Sequence, residues 1–213
     1  MKYNTKSIRK IKKIKLSKGN LRKMIYNILM KVGVITRNKG KIEIVDYVFP
    51  KYKIEYEFID KDYPEIQAAT SKEIAEHTVI QASNELKIPM VREDASLYIN
   101  ALGFPGPFTA YLEKTVPPEK LLEILKPFKD RSGYFECAIS FAQPGKKPVT
   151  FVEKYDIEVN ESLIGDQVFI QPWDRFLKFK GETRTFAQYP HEERISVWAK
   201  YYERMAKYIS SLE

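Results

Sequence analysis

The chain has 213 residues, a length that fits one large domain or one domain with two lobes. With 44% hydrophobic and 30% charged residues it can bury a real core, which excludes collagen-like, low-complexity and wholly disordered classes. The formal net charge of +8 is not spread over the whole chain: residues 1–23 hold ten basic side chains and no acidic one, while the remaining 190 residues carry 26 basic against 28 acidic.

Residues 1–23 contain the run K-S-I-R-K-I-K-K-I-K-L, in which Ile8, Ile11 and Ile14 recur every three residues, so a short basic helix can form. A basic arm can touch nucleic acid or an anionic membrane surface. The simpler reading is a solvated, disordered extension ahead of one domain over residues 24–213. The arm lacks the continuous apolar core and small-residue cleavage site of a secretory signal. No apolar run approaches the roughly 20 residues that span a bilayer, so no membrane partner is expected and the cytoplasm is the expected compartment. One cysteine, Cys137, excludes an internal disulfide and a cysteine-rich zinc site. Two histidines, His77 and His191, leave little for imidazole-based metal binding, and both read as solvated or structural.

The body starts with the β-branched run K-V-G-V-I-T at 31–36, read as a buried first strand, then a polar turn at 37–40 and the start of a helix over 41–49. The stretch 53–59, K-I-E-Y-E-F-I, alternates with period two, as a half-buried strand does. Thr70 and Glu73 make a capping box for a helix over 71–87 that carries Ile74, Thr78, Ala82 and Leu86 on one face. Residues 88–91 read as a short buried strand ending at Arg92, Glu93 and Asp94. The tract A-L-G-F-P-G-P-F at 101–108 reads as a loop. Pro117 and Pro118 open a helix that stops before Pro127. Strands are expected over 133–142 and 148–155. A last helix from near Pro190 carries the stripe Ile195, Trp198, Tyr202, Met205, Ile209 and Leu212. Alternating elements followed by clustered strands predict an α/β protein with a mixed sheet.

Three polar clusters fall at the ends of predicted strands, where open α/β sheets place ligands. Thr36, Asn38 and Lys41 combine a turn rich in backbone N–H groups with a lysine at a helix start, a combination that suits phosphate oxygens. An ordinary turn with solvated lysines has the same pattern. Asp60, Asp62 and Glu65 form the second cluster, and Glu93 with Asp94 the third. Hard carboxylate oxygens are what Mg²⁺ requires, one or two of them together with phosphate and water, and a spare carboxylate can orient an attacking water. The alternative is that Asp60 and Asp62 cap or solvate a loop. Trp173 in Q-P-W-D-R-F offers a flat face for stacking a base, or plain core. Trp198, on the apolar stripe, reads as core, and Cys137 as a small buried hydrophobe.

Taken in order, these clusters resemble the inosine triphosphatase family, the pyrophosphatases that remove non-canonical purine nucleoside triphosphates. The resemblance covers about residues 31–208. It rests on T-x-N-x-x-K at 36–41, P-E at 64–65, E-D-x-x-L at 93–97, A-L-G-F-P-G-P-F at 101–108 and W-D at 173–174. It implies a two-lobed fold with a long twisted central mixed sheet and a cleft between the lobes, a homodimer, and Mg²⁺-dependent hydrolysis of a nucleoside triphosphate to the monophosphate and pyrophosphate. By the same resemblance Thr36, Asn38 and Lys41 hold the triphosphate. Glu65 and Asp94 serve metal binding and water activation, with Glu93 beside them at the metal. Gly103, Pro105 and Gly106 shape a loop near the substrate, Trp173 stacks on the base and Asp174 supports the pocket.

The chain departs from the family pattern in its base pocket. Pro172 and Arg175 flank the W-D pair, a lysine expected on the second helix is Thr78, and a basic residue expected after the glycine-proline loop falls near Ala110 or Tyr111. The Ser-His-Arg motif that reads the 6-keto group becomes Trp198, Ala199 and Lys200, while a nearby lysine becomes Arg194 and keeps its charge. Arg194 and Lys200 are therefore the expected substrate contacts on the last helix. Donors aimed at a keto oxygen reject an amino group strongly, so their loss predicts relaxed base selectivity. A binding protein that keeps the cleft with little catalysis, and a nucleic-acid-associated protein acting through residues 1–23, are the alternatives.

Overall fold

The computed structural model describes residues 31–165 and 171–212. The basic extension over 1–23 lies outside the described residues.

Strand β1 (Val32–Ile35) has all four residues buried. A Cβ at Gly33 would stand 2.5 Å from the Met90 sulfur on the neighbouring strand, so the methionine side chain would have to move aside. Helix α1 (Lys39–Val48) follows after a three-residue turn and buries Gly40, Ile44, Val45 and Val48. Strand β2 (Tyr56–Phe58) returns parallel to β1. Helix α2 (Ser71–Leu86) opens with the expected capping box of Thr70 and Glu73 and buries Ile74, Thr78 and Ala82.

Strand β3 (Met90–Ile99) overturns the short strand expected over 88–91: it runs straight through Arg92, Glu93 and Asp94. The reason is pairing. Every residue from Met90 to Ile99 is matched by β5 (Ser132–Ala142), and the charges find partners on opposite faces, Glu65 for Arg92 and Lys41 for Glu93. The expected loop over 101–108 also holds a strand, β4 (Phe104–Gly106), antiparallel to the end of β3. Helices α3 (Thr109–Thr115) and α4 (Pro118–Leu125) come next. Strand β6 (Val149–Val159) forms a long hairpin with β5, and β7 (Leu177–Phe179) closes the edge. Helix α5 (His191–Ser210) ends the fold, with Tyr202, Met205 and Ile209 of its stripe buried.

The sheet has seven strands in the order β2–β1–β3–β5–β6–β7, with β4 beside β3. Its β2–β1–β3 part is parallel and the rest antiparallel, so it is mixed, as expected. Helices α1 and α5 cover one face, packing Ile44, Val45, Tyr202 and Met205 on Val32, Val34, Val91 and Ile139. Helix α2 covers the other, over Ile35, Met90 and Ala142. A separate apolar cluster gathers α4, β7 and the turn at Pro172–Arg175 around Leu97, Ile99 and Ile157. Phe135 and Trp198 pack against both this cluster and the α1–α5 cluster. These two lobes share β3 and β5.

Candidate active site

The turn between β1 and α1 is built by its own side chains. Thr36 Oγ1 accepts the N–H of Asn38 at 3.2 Å. Asn38 Oδ1 accepts the N–H groups of Gly40 at 2.9 Å and Lys41 at 3.2 Å, which makes it the N-cap of α1. Lys41 Nζ then reaches across to β3, 2.5 Å from Glu93 Oε2, and donates to the Glu93 carbonyl at 3.4 Å. Tyr201 of α5 donates its hydroxyl to Glu93 Oε1 at 3.0 Å. Burial works against the charge on Lys41, but Glu93 and Asp94 outweigh it and hold its pKa above the ordinary value. The ammonium has a third hydrogen to offer a ligand.

This pair stands at one end of a cavity of about 190 Å³ at the junction of the two lobes. Its walls are Leu177, Phe186, Trp173 and Trp198, and Cys137 lies buried on its floor. Trp173 is fixed at both ends: its backbone N–H donates to Glu113 Oε1 at 3.3 Å and its indole N–H to the Val116 carbonyl at 3.0 Å. Beside it, Arg194 donates to Asp174 at 2.9 Å. Burial raises the Asp174 carboxyl to about 6, with Arg194 pulling the other way. Burial, then the nearby Asp174 charge, pushes Glu113 up to about 8, so at neutral pH it is mostly the neutral acid.

Side chains alternate along β3, so Arg92 and Asp94 face the side opposite Glu93. There a second cavity, about 260 Å³, is lined by Thr36, Arg37, Asp62, Glu65 and Arg92 among others. Arg37 pairs with Asp60 at 2.7 Å and also with Asp62. Arg92 donates to Glu65 at 2.5 Å and to the Ile35 carbonyl at 3.3 Å. Asp94 is buried, and its Oδ2 has no partner among the described residues. Burial raises its carboxyl to about 6, with Lys41 and Arg92 drawing it down and Glu93 and Glu65 adding to the rise. Such a group is ionised at neutral pH and basic enough to take a proton from water.

The two cavities therefore flank one turn, residues 36–38, from opposite faces of β3. Thr36 and Glu65 line the polar one, and Asn38, Lys41, Glu93, Trp173, Asp174 and Arg194 the apolar one. Asp94 lines neither, but lies close enough to feel the charges of both Lys41 and Glu65. Gly103 and Gly106 have left-handed backbones, φ 67° and 57°, that shape the loop around β4; they line neither cavity. Lys200 is exposed on α5 and lines neither cavity, because Trp198 and Ala199 take the inward positions of that turn. Thr78 is buried within the α2 face.

Among the described residues no three His, Cys, Asp or Glu side chains gather into a metal site by themselves. Mg²⁺ does not need three, because phosphate and water complete its shell. The unpartnered oxygen of Asp94 and the exposed carboxylate of Glu65, on one side of β3, fit that requirement. Glu93, on the other side, is committed to Lys41 and Tyr201. Three residues of the site escape a reading of the sequence. Arg92 stands in plain view before Glu93 and Asp94, but its role needs the fold. Glu113 lies on a helix that the proline-rich surroundings hide, and Tyr201 lies beside the apolar stripe of α5.

The Ham1 family model matches residues 32–208. A dITP/XTP pyrophosphatase of Methanopyrus kandleri is 35% identical over 182 residues, 84% of this chain and 96% of that protein. One from Saccharolobus solfataricus is 31% identical over 185 residues, 85% and 95% of the two chains. Among solved structures, the Ham1 protein of Staphylococcus aureus superposes with a TM-score of 0.70 at 26% identity, covering 86% of this chain and 100% of the other. A HAM1 protein from Coxiella burnetii, 20% identical, shares the fold with a TM-score of 0.72 over 85% and 98% of the two chains.

Proposed function

The chain belongs to the Ham1 family, and from that premise we propose that it is a Mg²⁺-dependent pyrophosphohydrolase of non-canonical purine nucleoside triphosphates with relaxed base selectivity. The observation that carries this reading is the turn at 36–38, set between an apolar cavity walled by tryptophans and a polar one rimmed by cations and carboxylates. A nucleoside triphosphate has the matching polarity.

The base enters the apolar cavity against Trp173 and Trp198. The phosphates cross the turn at the positive end of α1, where the third hydrogen of Lys41 meets their oxygens. Asp94 accepts the proton of a water that attacks the α-phosphorus, and the bond to the bridging oxygen breaks to release pyrophosphate. Glu65 and Asp94 would hold Mg²⁺, which when bound would neutralise charge on the phosphates and the leaving group. Base discrimination is weak because α5 presents the Trp198 indole to the apolar cavity and turns Lys200 away from it, which leaves Arg194, already paired with Asp174, as the donor of that helix. The same reading expects a homodimer, as the family resemblance implies, working in the cytoplasm. Light scattering should give twice the chain mass of 25.0 kDa.

The test is pyrophosphate release from inosine, xanthosine, deoxyinosine and adenosine triphosphates with Mg²⁺ present. Turnover of the inosine and xanthosine nucleotides is expected, and adenosine triphosphate, which carries an amino group where they carry the 6-keto oxygen, should be hydrolysed at a comparable rate. Asp94→Asn should lose about 10²–10⁴-fold in kcat. Wild-type protein no faster than Asp94→Asn would end the hydrolase reading.

A further inference from the structure

The geometry points to Arg92 as a phosphate-binding arginine that exchanges the Glu65 carboxylate for phosphate oxygens of the substrate and so releases Glu65. This rests on the hydrolase reading and adds to it a residue and a conformational exchange.

Placement comes first. Arg92 lies opposite Ile35, the last residue of β1, and two residues before Asp94 on the same face of β3. Its bond to the Ile35 carbonyl sets the guanidinium at the mouth of the turn whose Thr36 lines the same cavity. The head group is thus beside both the phosphate-binding turn and the carboxylate that activates water.

Its bonding state is incomplete. A guanidinium has five N–H donors in a planar fork that matches two phosphate oxygens. Here two named acceptors are met, and Nε is buried with no partner among the described residues. A buried donor left unpaired is costly, and a phosphate oxygen would satisfy it.

The present partner is easily exchanged. The Glu65 side chain is 57% exposed, and ion pairs at such sites contribute little. Of the three cations lining the polar cavity, Arg92 is also the most enclosed: its side chain is 16% exposed, against 57% for Arg37 and 43% for Lys61. A phosphate meeting it does so in a less screened environment than at the other two.

The experiment compares wild type, Arg92→Ala and Arg92→Lys. Inosine triphosphate hydrolysis is measured with Mg²⁺, and binding of Mg²⁺-pyrophosphate and of inosine, which carries no phosphate, by calorimetry. Arg92→Ala should weaken pyrophosphate binding and raise KM at least tenfold while inosine binding is unchanged. Arg92→Lys should recover part of the loss. If Arg92→Ala does not fold, modification of wild-type arginines by phenylglyoxal decides: pyrophosphate should protect Arg92 several-fold. Unchanged pyrophosphate affinity in a folded Arg92→Ala, or no protection of Arg92, overturns this assignment while wild-type turnover keeps the hydrolase reading. Wild-type protein that neither hydrolyses inosine triphosphate nor binds pyrophosphate overturns both.

Discussion

Glu113 shows what a single buried group does to the stability of this chain. Its carboxyl, raised from 4.5 to about 8 chiefly by burial, keeps its proton in the folded state where the unfolded chain has released it. Between those values the folded state binds more protons, so this group's contribution falls as pH rises, by up to about 1.4 kcal/mol per unit. Glu113→Gln removes the titration, and an amide oxygen can still accept the Trp173 N–H. The variant should match wild type near pH 5 and exceed it by ~2–4 kcal/mol near pH 9 in denaturant titrations. An equal gap at the two pH values would show that Glu113 does not titrate as its surroundings require. Nothing in the sequence marks this residue, because the partner it accepts from, the Trp173 N–H, lies 60 positions away and is brought to it only by the fold. Thr36, Asn38 and Lys41 differ: their turn and cap are local, so the motif at 36–41 is legible before any fold is known.

Elements repeat that division between local and distant causes. Helices α1, α2, α4 and α5 carry caps, prolines and apolar stripes within their own sequence, and they stand close to where those signals place them. Strands β3 and β7 are made by pairing with residues well separated along the chain, whereas β4 folds straight back on the end of β3, Phe104 against Ile99. The charged middle of β3 and the three-residue lengths of β4 and β7 conceal them. The first turn of α1 allows the local cause to be tested against function. Asn38→Ala loses an acceptor for two N–H groups and should cost ~1–2 kcal/mol. Asn38→Asp keeps the cap and places a carboxylate at the positive end of the helix, so thermal stability should hold. That same carboxylate faces the incoming triphosphate and should raise KM at least tenfold. If Asn38→Asp keeps wild-type KM, phosphates do not cross this turn.

On the scale of the molecule, the question is whether two apolar clusters on one sheet behave as one folding unit. Trp198 is the joint between them. Its ring lies 5.6 Å from Phe135, 4.8 Å from Tyr155, 5.6 Å from Phe179 and 5.8 Å from Phe186, and it also walls the apolar cavity. The side chain at this position therefore serves the packing of both clusters as well as the wall of the cavity. Trp198→Ala removes those contacts and should cost about 3–5 kcal/mol, as large aromatic deletions in cores do. It also leaves Trp173 as the sole tryptophan of the two in the chain. Fluorescence of that variant then follows the second cluster alone, while circular dichroism follows the whole. The two unfolding curves should still coincide, because β3 and β5 are paired residue by residue through both clusters and neither lobe can open without breaking that ladder. Curves that separate would mean that Trp198, and not the shared strands, makes the two lobes cooperative.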